Sequence, residues 1–499
     1  MRRRTLLRAG AGVLAGTAVG RVAAQERDGY EPMGSVEIPG AKEAAITDDG
    51  EIAYVAAGDG FVTVDLSDPT APAVLNEERG IPSDDPLDGI WDLWPDGDRL
   101  VVAGPANRTF ATPTVLLYDV SDPANPVGID LYEPGYPIHN TFFEDGIVYL
   151  TQHGDEGNPI ALVDTAEDEL TELARWSLLD HEDDWSGVSQ RLYPIHDIYV
   201  QGELAYLSYW DAGVWVLDVS DPSAPEYVNH FGDYSREELE SMSQERSLWE
   251  PFAPPGNAHY CQVNEEGTVL GVSKEAWTTT DENDEPVGGP GGIDLWDVTD
   301  PTDPERLSRI EPPESYDNTQ QGQFTTAHNF DLVGDRLYSS WYFGGVKVHD
   351  VSNPANPAEL VWWREPDEAV FWTAQVGVPG DFFVGSSGES DGGFQLATTG
   401  ALYTFPDEAG EQASPPSLVD SAATGSDQDD DSASENDEGT EDDSASENDE
   451  ETDTEDDTDG DDGSTESDDD SIPGFGVGAG VAGIGLAAWR HATRSDDGE

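Results

Sequence analysis

The chain lacks most of what other proteins use as braces and as counter-charge. It has one cysteine, Cys261, in 499 residues, which excludes an internal disulfide and leaves packing alone to hold the fold. Lysine is nearly absent, represented only by Lys42, Lys274 and Lys347. Lysine and arginine together number 22 against 105 acidic residues, giving a formal charge of -83. Only 27 of those acids fall in residues 411–471, so the excess belongs to the rest of the chain as well. A surface of this kind repels itself at low ionic strength and reads as salt-adapted. It is also a poor partner for nucleic acid, whose phosphates need basic side chains.

Several catalytic signatures are missing too. There is no Gly-x-Ser-x-Gly, phosphate loop, Cys-x-x-Cys or dinucleotide fingerprint, which argues against common hydrolases, NTPases and dehydrogenases. His181-Glu182 does not continue into a zinc-protease helix motif. The acidic run Asp281–Glu285 lacks the glycine and spacing of a calcium loop.

What the chain does have is repetition. Val-Asp-Leu-Ser-Asp-Pro (64–69) returns as Tyr-Asp-Val-Ser-Asp-Pro (118–123), Leu-Asp-Val-Ser-Asp-Pro (217–222), Trp-Asp-Val-Thr-Asp-Pro (296–301) and His-Asp-Val-Ser-Asn-Pro (349–354). Each copy reads as a buried strand ending in a turn, where proline fixes φ and aspartate bonds its own backbone. The strand-ending aspartates are Asp65, Asp119, Asp164, Asp218, Asp297 and Asp350, at spacings of 54, 45, 54, 79 and 53. A degraded seventh copy lies at 392–398, with Thr398 in place of aspartate. Repeats of this length with several short strands each predict an all-β, seven-bladed β-propeller. Met33–Ile38 looks like an outer strand with no blade of its own, and should close the ring by pairing near Leu402–Phe405.

The hydrophobic strand followed by Asp-Val-Ser-Asp-Pro resembles the LVIVD repeat of bacterial and archaeal surface proteins. That resemblance implies a propeller over residues 25–406 and carries no agreed activity.

Both ends of the chain read as address labels. Residues 1–24 join Arg2-Arg3-Arg4 to a small apolar stretch and Val22-Ala23-Ala24, and resemble a twin-arginine export signal. Residues 407–471 are acidic, rich in serine and threonine and almost without apolar side chains, so they cannot bury enough surface to fold. The tail from 411 to 471 would span about 40–45 Å even without charge repulsion, and works as a disordered stalk. Residues 472–499 carry a glycine-rich apolar stretch whose helix would be about 24 Å long, short for a membrane core. With Pro473, Gly474 and Phe475 in place, this segment resembles the PGF-CTERM sorting signal. The resemblance implies removal by an archaeosortase-type enzyme and a lipid anchor at the outer face, and a retained membrane helix would equally tether the protein to the cell surface. Asn107 begins the sequon Asn107-Arg108-Thr109, a glycosylation candidate.

The candidate site lies where the inner strands begin, at Ala44, Trp91, His139, His196, His259, His328 and Trp372 or Thr373. Four consecutive repeats place histidine there, and inner strands line a propeller's channel. His139, His196, His259 and His328 should therefore converge on one mouth, as a candidate copper or zinc site. Packing at blade junctions, or acid–base and ligand contact without metal, would suit the same residues. The same face should receive His153, Trp91, Trp210, Asp211, Glu275, Trp277, Trp341 and Tyr342, beneath long insertions at 180–193, 233–256, 278–291 and 313–325. Cys261, two residues beyond His259 on one strand, should share its side as a soft ligand or reactive thiol, unless it is core. Asn140, Asp197 and Asn329 should point into the blades as clamps.

Two functions stay open. One is a non-enzymatic surface module whose crowned face binds an unknown sugar, protein or peptide. The other is a metalloenzyme, since a seven-bladed ring with channel histidines is similar in architecture to the selenium-binding protein and methanethiol oxidase family. That similarity implies a copper-dependent oxidoreductase acting on small thiols.

Overall fold

The computed structural model describes residues 29–82, 86–107, 111–152, 157–388 and 399–420. Seven antiparallel sheets follow one another along the chain, as the repeat predicts. The third copy shows the plan: strands Ile138–Glu144, Ile147–Gln152, Ile160–Asp164 and Thr171–Trp176 run from the axis outward. Every strand-ending aspartate named above closes the third strand of its blade. Its Oδ1 accepts the backbone N–H two residues on, at 2.9 Å for Ser67, Ser121, Ser220, Thr299 and Ser352 and 3.0 Å for Ala166. The degraded copy at 392–398 lies outside the described residues.

Alternation along each strand sends its two faces to two neighbours. In the fourth blade Val214 and Val216 pack toward the fifth, with Val272 and Val263, while Trp215 and Leu217 pack toward the third, with Ile160 and Leu162. The same division gives one apolar core at each of the seven blade junctions. An eighth cluster sits apart from these and is described below.

Closure follows the expectation. Gly34–Glu37 pairs antiparallel with Ala401–Pro406, with Gly34 opposite Thr404 and Glu37 opposite Ala401. The Met33 and Ile38 N–H groups donate to the Thr404 and Gly400 carbonyls at 2.7 and 2.8 Å. The last sheet thus takes its outer strand from the start of the domain.

The chain does not leave the ring at Pro406. Asp407 is buried, where it bonds Arg336 and accepts from the Tyr338 hydroxyl at 2.9 Å and the Gly380 N–H at 2.6 Å. Gly410–Glu411 then adds a parallel strand to the outer edge of the sixth blade, beside Val361 and Trp362. The Arg364 Nε–H donates to the Pro416 carbonyl at 2.9 Å, and Leu418 is buried.

The insertions fold locally. Ser235 caps Arg236–Glu240 through a reciprocal bond with Glu238, the capping box its sequence predicts. Thr278–Thr280 and Pro286–Gly288 form a small hairpin. No helix among the described residues is long and apolar enough to cross a membrane.

Ile38→Pro removes one closing hydrogen bond and a buried side chain, and is expected to cost about 3 kcal/mol or more. Denaturant unfolding of the variant beside the parent checks this, and an unchanged midpoint would show that closure contributes little.

Candidate metal centre at the channel mouth

The register at the start of each inner strand sets the geometry. In the third and fifth blades the pairing shifts by one residue, between Ile138 and Thr141 and between Ala258 and Cys261. The seventh shifts likewise between Phe371 and Thr373. A bulge of this kind re-aims the extra side chain. In these three blades it brings two successive residues to the axis, at two levels.

The upper level is a closed necklace of rings. Centroids lie 5.7 Å apart for Trp91–His139, 4.3 Å for His139–His196 and 3.7 Å for His196–His259. They continue at 4.6 Å for His259–His328, 4.5 Å for His328–Trp372 and 5.7 Å for Trp372–Trp91. The four histidines meet as expected, all of them buried. Blade one contributes Lys42 rather than Ala44, because Lys42 Nζ lies 5.4 Å over the Trp372 ring while Ala44 sits in the core toward blade seven. Trp372, not Thr373, is the seventh blade's residue at this level.

Glu275 completes the centre. Donor atoms of His196, His259 and Glu275 all lie within 4.8 Å of one another. His259 Nδ1 is 3.1 Å from Glu275 Oε2, His328 Nε2 is 3.8 Å from Oε1, and the Tyr342 hydroxyl donates to Oε1. His139 Nδ1 donates to the Ala106 carbonyl at 3.2 Å and His328 Nδ1 to the Trp372 carbonyl at 2.6 Å. A carbonyl only accepts, so each Nδ1 carries a proton, and Nε2 is the nitrogen a neutral ring would offer to a metal. Burial and the neighbouring His259 push His328 down to about 3, against the pull of Glu275, so the ring is neutral at physiological pH. Burial works to raise the Glu275 carboxyl, but the His259 and His328 rings and the Tyr342 hydroxyl outweigh it and hold it below the usual range. His259 is 1% exposed, and its Nε2 has no hydrogen-bond partner.

Aromatic side chains arch over this centre. Trp210 stacks on His196 at 6.4 Å, and contacts run on through Phe252, Trp277, Phe324 and Tyr342 to His328, each at 4.7–6.3 Å. Trp210 and Tyr342 both take positive φ, 38° and 49°, strained conformations for bulky residues. Each bridges to the inner strand of the next blade, at Ala258 and Phe371. Phe252 and Phe324 come from the insertions and belong to no repeat, so no periodicity could find them.

Other expected site residues lie elsewhere. Trp341 is buried between blades five and six, its Nε1–H donating to Ser339 Oγ at 2.8 Å, because its neighbour Tyr342 takes the face. Asp211 Oδ1 accepts the Asn257 N–H at 2.9 Å and anchors the end of the 233–256 insertion. Burial, partly offset by that bond, pushes the Asp211 carboxyl up to about 7. Cys261 does not share the side of His259: the bulge reverses the phase, placing it in the core with Val263 and Val272. Burial raises its thiol to about 12, so it offers no thiolate ligand at neutral pH. Both amide atoms of Asn107 are buried. His153 and Pro473, Gly474 and Phe475 lie outside the described residues.

The lower level was missed in part. Asn140, Asp197 and Asn329 do not point into the blades; with Glu43, Asp92 and Thr373 they line a small cavity on the axis. Asn140 Nδ2 donates to Asp197 Oδ2 at 2.7 Å and Asn329 Nδ2 to Glu43 Oε2 at 2.8 Å. The cue was present, since Ile90-Trp91-Asp92 matches Ile195-His196-Asp197. Burial, with Asp92 nearby, raises Glu43 to about 8, and burial against two backbone N–H bonds raises Asp92 to about 7. Asp197 is raised by burial and by Asp92.

The chain is thus a seven-bladed repeat propeller with a capped, histidine-lined channel. An LVIVD repeat model matches residues 46–77 and 195–232, in blades one and four. No curated protein matches. Among solved structures, the chain is similar to the Cps50 (Swd1) β-propeller domain of Myceliophteria thermophila, at 12% identity over 76% of this chain and 99% of that one, TM-score 0.49. A chain of the mitotic checkpoint complex follows at 11% identity, 80% and 99% coverage and TM-score 0.46. A functionally unknown protein of Desulfotomaculum acetoxidans DSM 771 has 13% identity, 64% and 84% coverage and TM-score 0.43.

The raised carboxyls set a pH dependence for metal-stripped protein. Glu43 and Asp92 keep their protons in the fold to about pH 8 and 7, but only to the ordinary carboxylate range when unfolded. Their stabilising share is complete below the unfolded values and is lost as pH rises through 7 to 8. Paired Glu43→Gln and Asp92→Asn should flatten the stability difference between about pH 6 and 9, read from unfolding midpoints at fixed salt.

Proposed function

We propose that the protein is an exported, surface-tethered propeller that binds ligands at its channel mouth through a divalent transition metal. The metal is held by His196, His259 and Glu275, with His139 and His328 beside them. The observation that carries this reading is the buried triad itself, with donor atoms within 4.8 Å and an unpartnered His259 Nε2. Two histidines and one carboxylate suit zinc and non-haem iron, and imidazole suits copper as well. Glu275 supplies the anionic ligand, held ionised in its buried setting by His259, His328 and Tyr342. The reading of an exported, tethered protein draws on the Arg2-Arg3 pair, the acidic stalk and the Pro473-Gly474-Phe475 segment.

A second reading, a metal-dependent oxidoreductase acting on small molecules such as thiols, draws on the same triad. Three protein ligands leave coordination positions open for a substrate.

Elemental analysis of protein purified in high salt should find about one transition metal per chain. His259→Ala and Glu275→Gln should each lower the occupancy at least tenfold, by analogy with the loss of a ligand. Metal-free parent protein of normal stability would sink the centre. Oxygen uptake with small thiols by the loaded protein separates the two readings, because a binding module consumes none. Arg2→Lys with Arg3→Lys should retain the protein inside the cell, checked by fractionation, and unchanged surface display would remove the export reading.

A further inference from the structure

The lower level of the channel differs from the upper in chemistry. Its polar lining is oxygen-rich: carboxylates from Glu43, Asp92 and Asp197, amides from Asn140 and Asn329, and the Thr141 hydroxyl. These come from blades one, two, three, four and six. No lysine, arginine or histidine lines the cavity, so no cationic side chain faces its three buried carboxyls. The two asparagines turn their NH2 groups toward carboxylates, which leaves their carbonyl oxygens for other partners. Asn329 Oδ1 and Thr141 Oγ1 have none, although these residues are only 6% and 2% exposed. Buried oxygens of this kind are seldom left unsatisfied.

We propose that this cavity is a second cation site, taking a hard, oxygen-ligated ion such as calcium on one or two of the carboxylates of Glu43, Asp92 and Asp197. It does not depend on the transition metal above it. Carboxylate, amide and hydroxyl oxygens suit such ions, whereas the imidazole level suits softer ones. Among the described residues only the triad at the upper level brings three acidic, histidine or cysteine donors within 4.8 Å. One or two carboxylates therefore bind the ion directly, and the amide and hydroxyl oxygens of the lining complete its shell. The ion links blades far apart in the chain and offsets the charge that burial makes costly.

Terbium serves as the probe, because Tyr260 and Trp94 line the cavity and can sensitise its emission. The full chain, stripped with chelator in high salt, should show one saturable emitting site that calcium displaces. Asp92→Asn and Asp197→Asn should each weaken it at least tenfold, while His259→Ala leaves it intact and loses only the transition metal. Emission that rises without saturating, or is equal in the carboxylate variants, would assign terbium to the acidic surface and overturn the proposal. If the variants fail to fold, calorimetric titration of the parent with calcium decides. One saturable site below about 1 mM supports the proposal, and its absence overturns it.

Discussion

Closing the ring is the constraint on which everything else depends. Once seven sheets pack side by side around an axis, each blade must present the same stretch of inner strand to the same narrow space. Neighbouring blades share one apolar core per junction, so no sheet can move without opening two. The second strands carry small buried residues beside this level: Ala56, Ala103, Thr151, Ser208, Ser273, Ser340 and Ser386. What occupies the axis is then decided by two residues per blade.

Those two residues divide the channel by chemistry. Above are imidazole and indole rings in contact, under an aromatic arch; below are carboxyls and amides. The division matters electrically, because both levels are removed from solvent. A buried Glu275 keeps its charge only because His259, His328 and Tyr342 face it. Glu43 and Asp92, without cationic side chains around them, drift toward neutrality instead. The same residue class thus behaves in opposite ways within one channel, and the neighbours decide which.

Much of this was legible in the chain. The Ser-Asp-Pro phrase marks each third strand because its aspartate has a fixed local task, a bond two residues on, that needs no tertiary context. The histidines were legible because repetition put them in phase. Where reading by phase failed, a local irregularity intervened. The bulge after Ala258 turned Cys261 away from His259, and a matching bulge brought Asn140 onto the axis instead of into its blade. Blade one carries Lys42 and Glu43 in place of any histidine, so its phase had no landmark. The arch residues Phe252 and Phe324 sit in insertions, where there is no second copy to compare. Alternation alone also could not choose between Trp341 and Tyr342, which are adjacent and equally aromatic.

The last described stretch of chain has a mechanical meaning. Beyond Pro406 it does not hang from the closing sheet but crosses to blade six, through Asp407, Gly410–Glu411 and the Arg364–Pro416 contact. A pull applied beyond Asp420 would therefore be taken up first by this outer fastening. The N-terminal strand that completes the circle is loaded only after the fastening gives way, so a tug on the tail spares the channel.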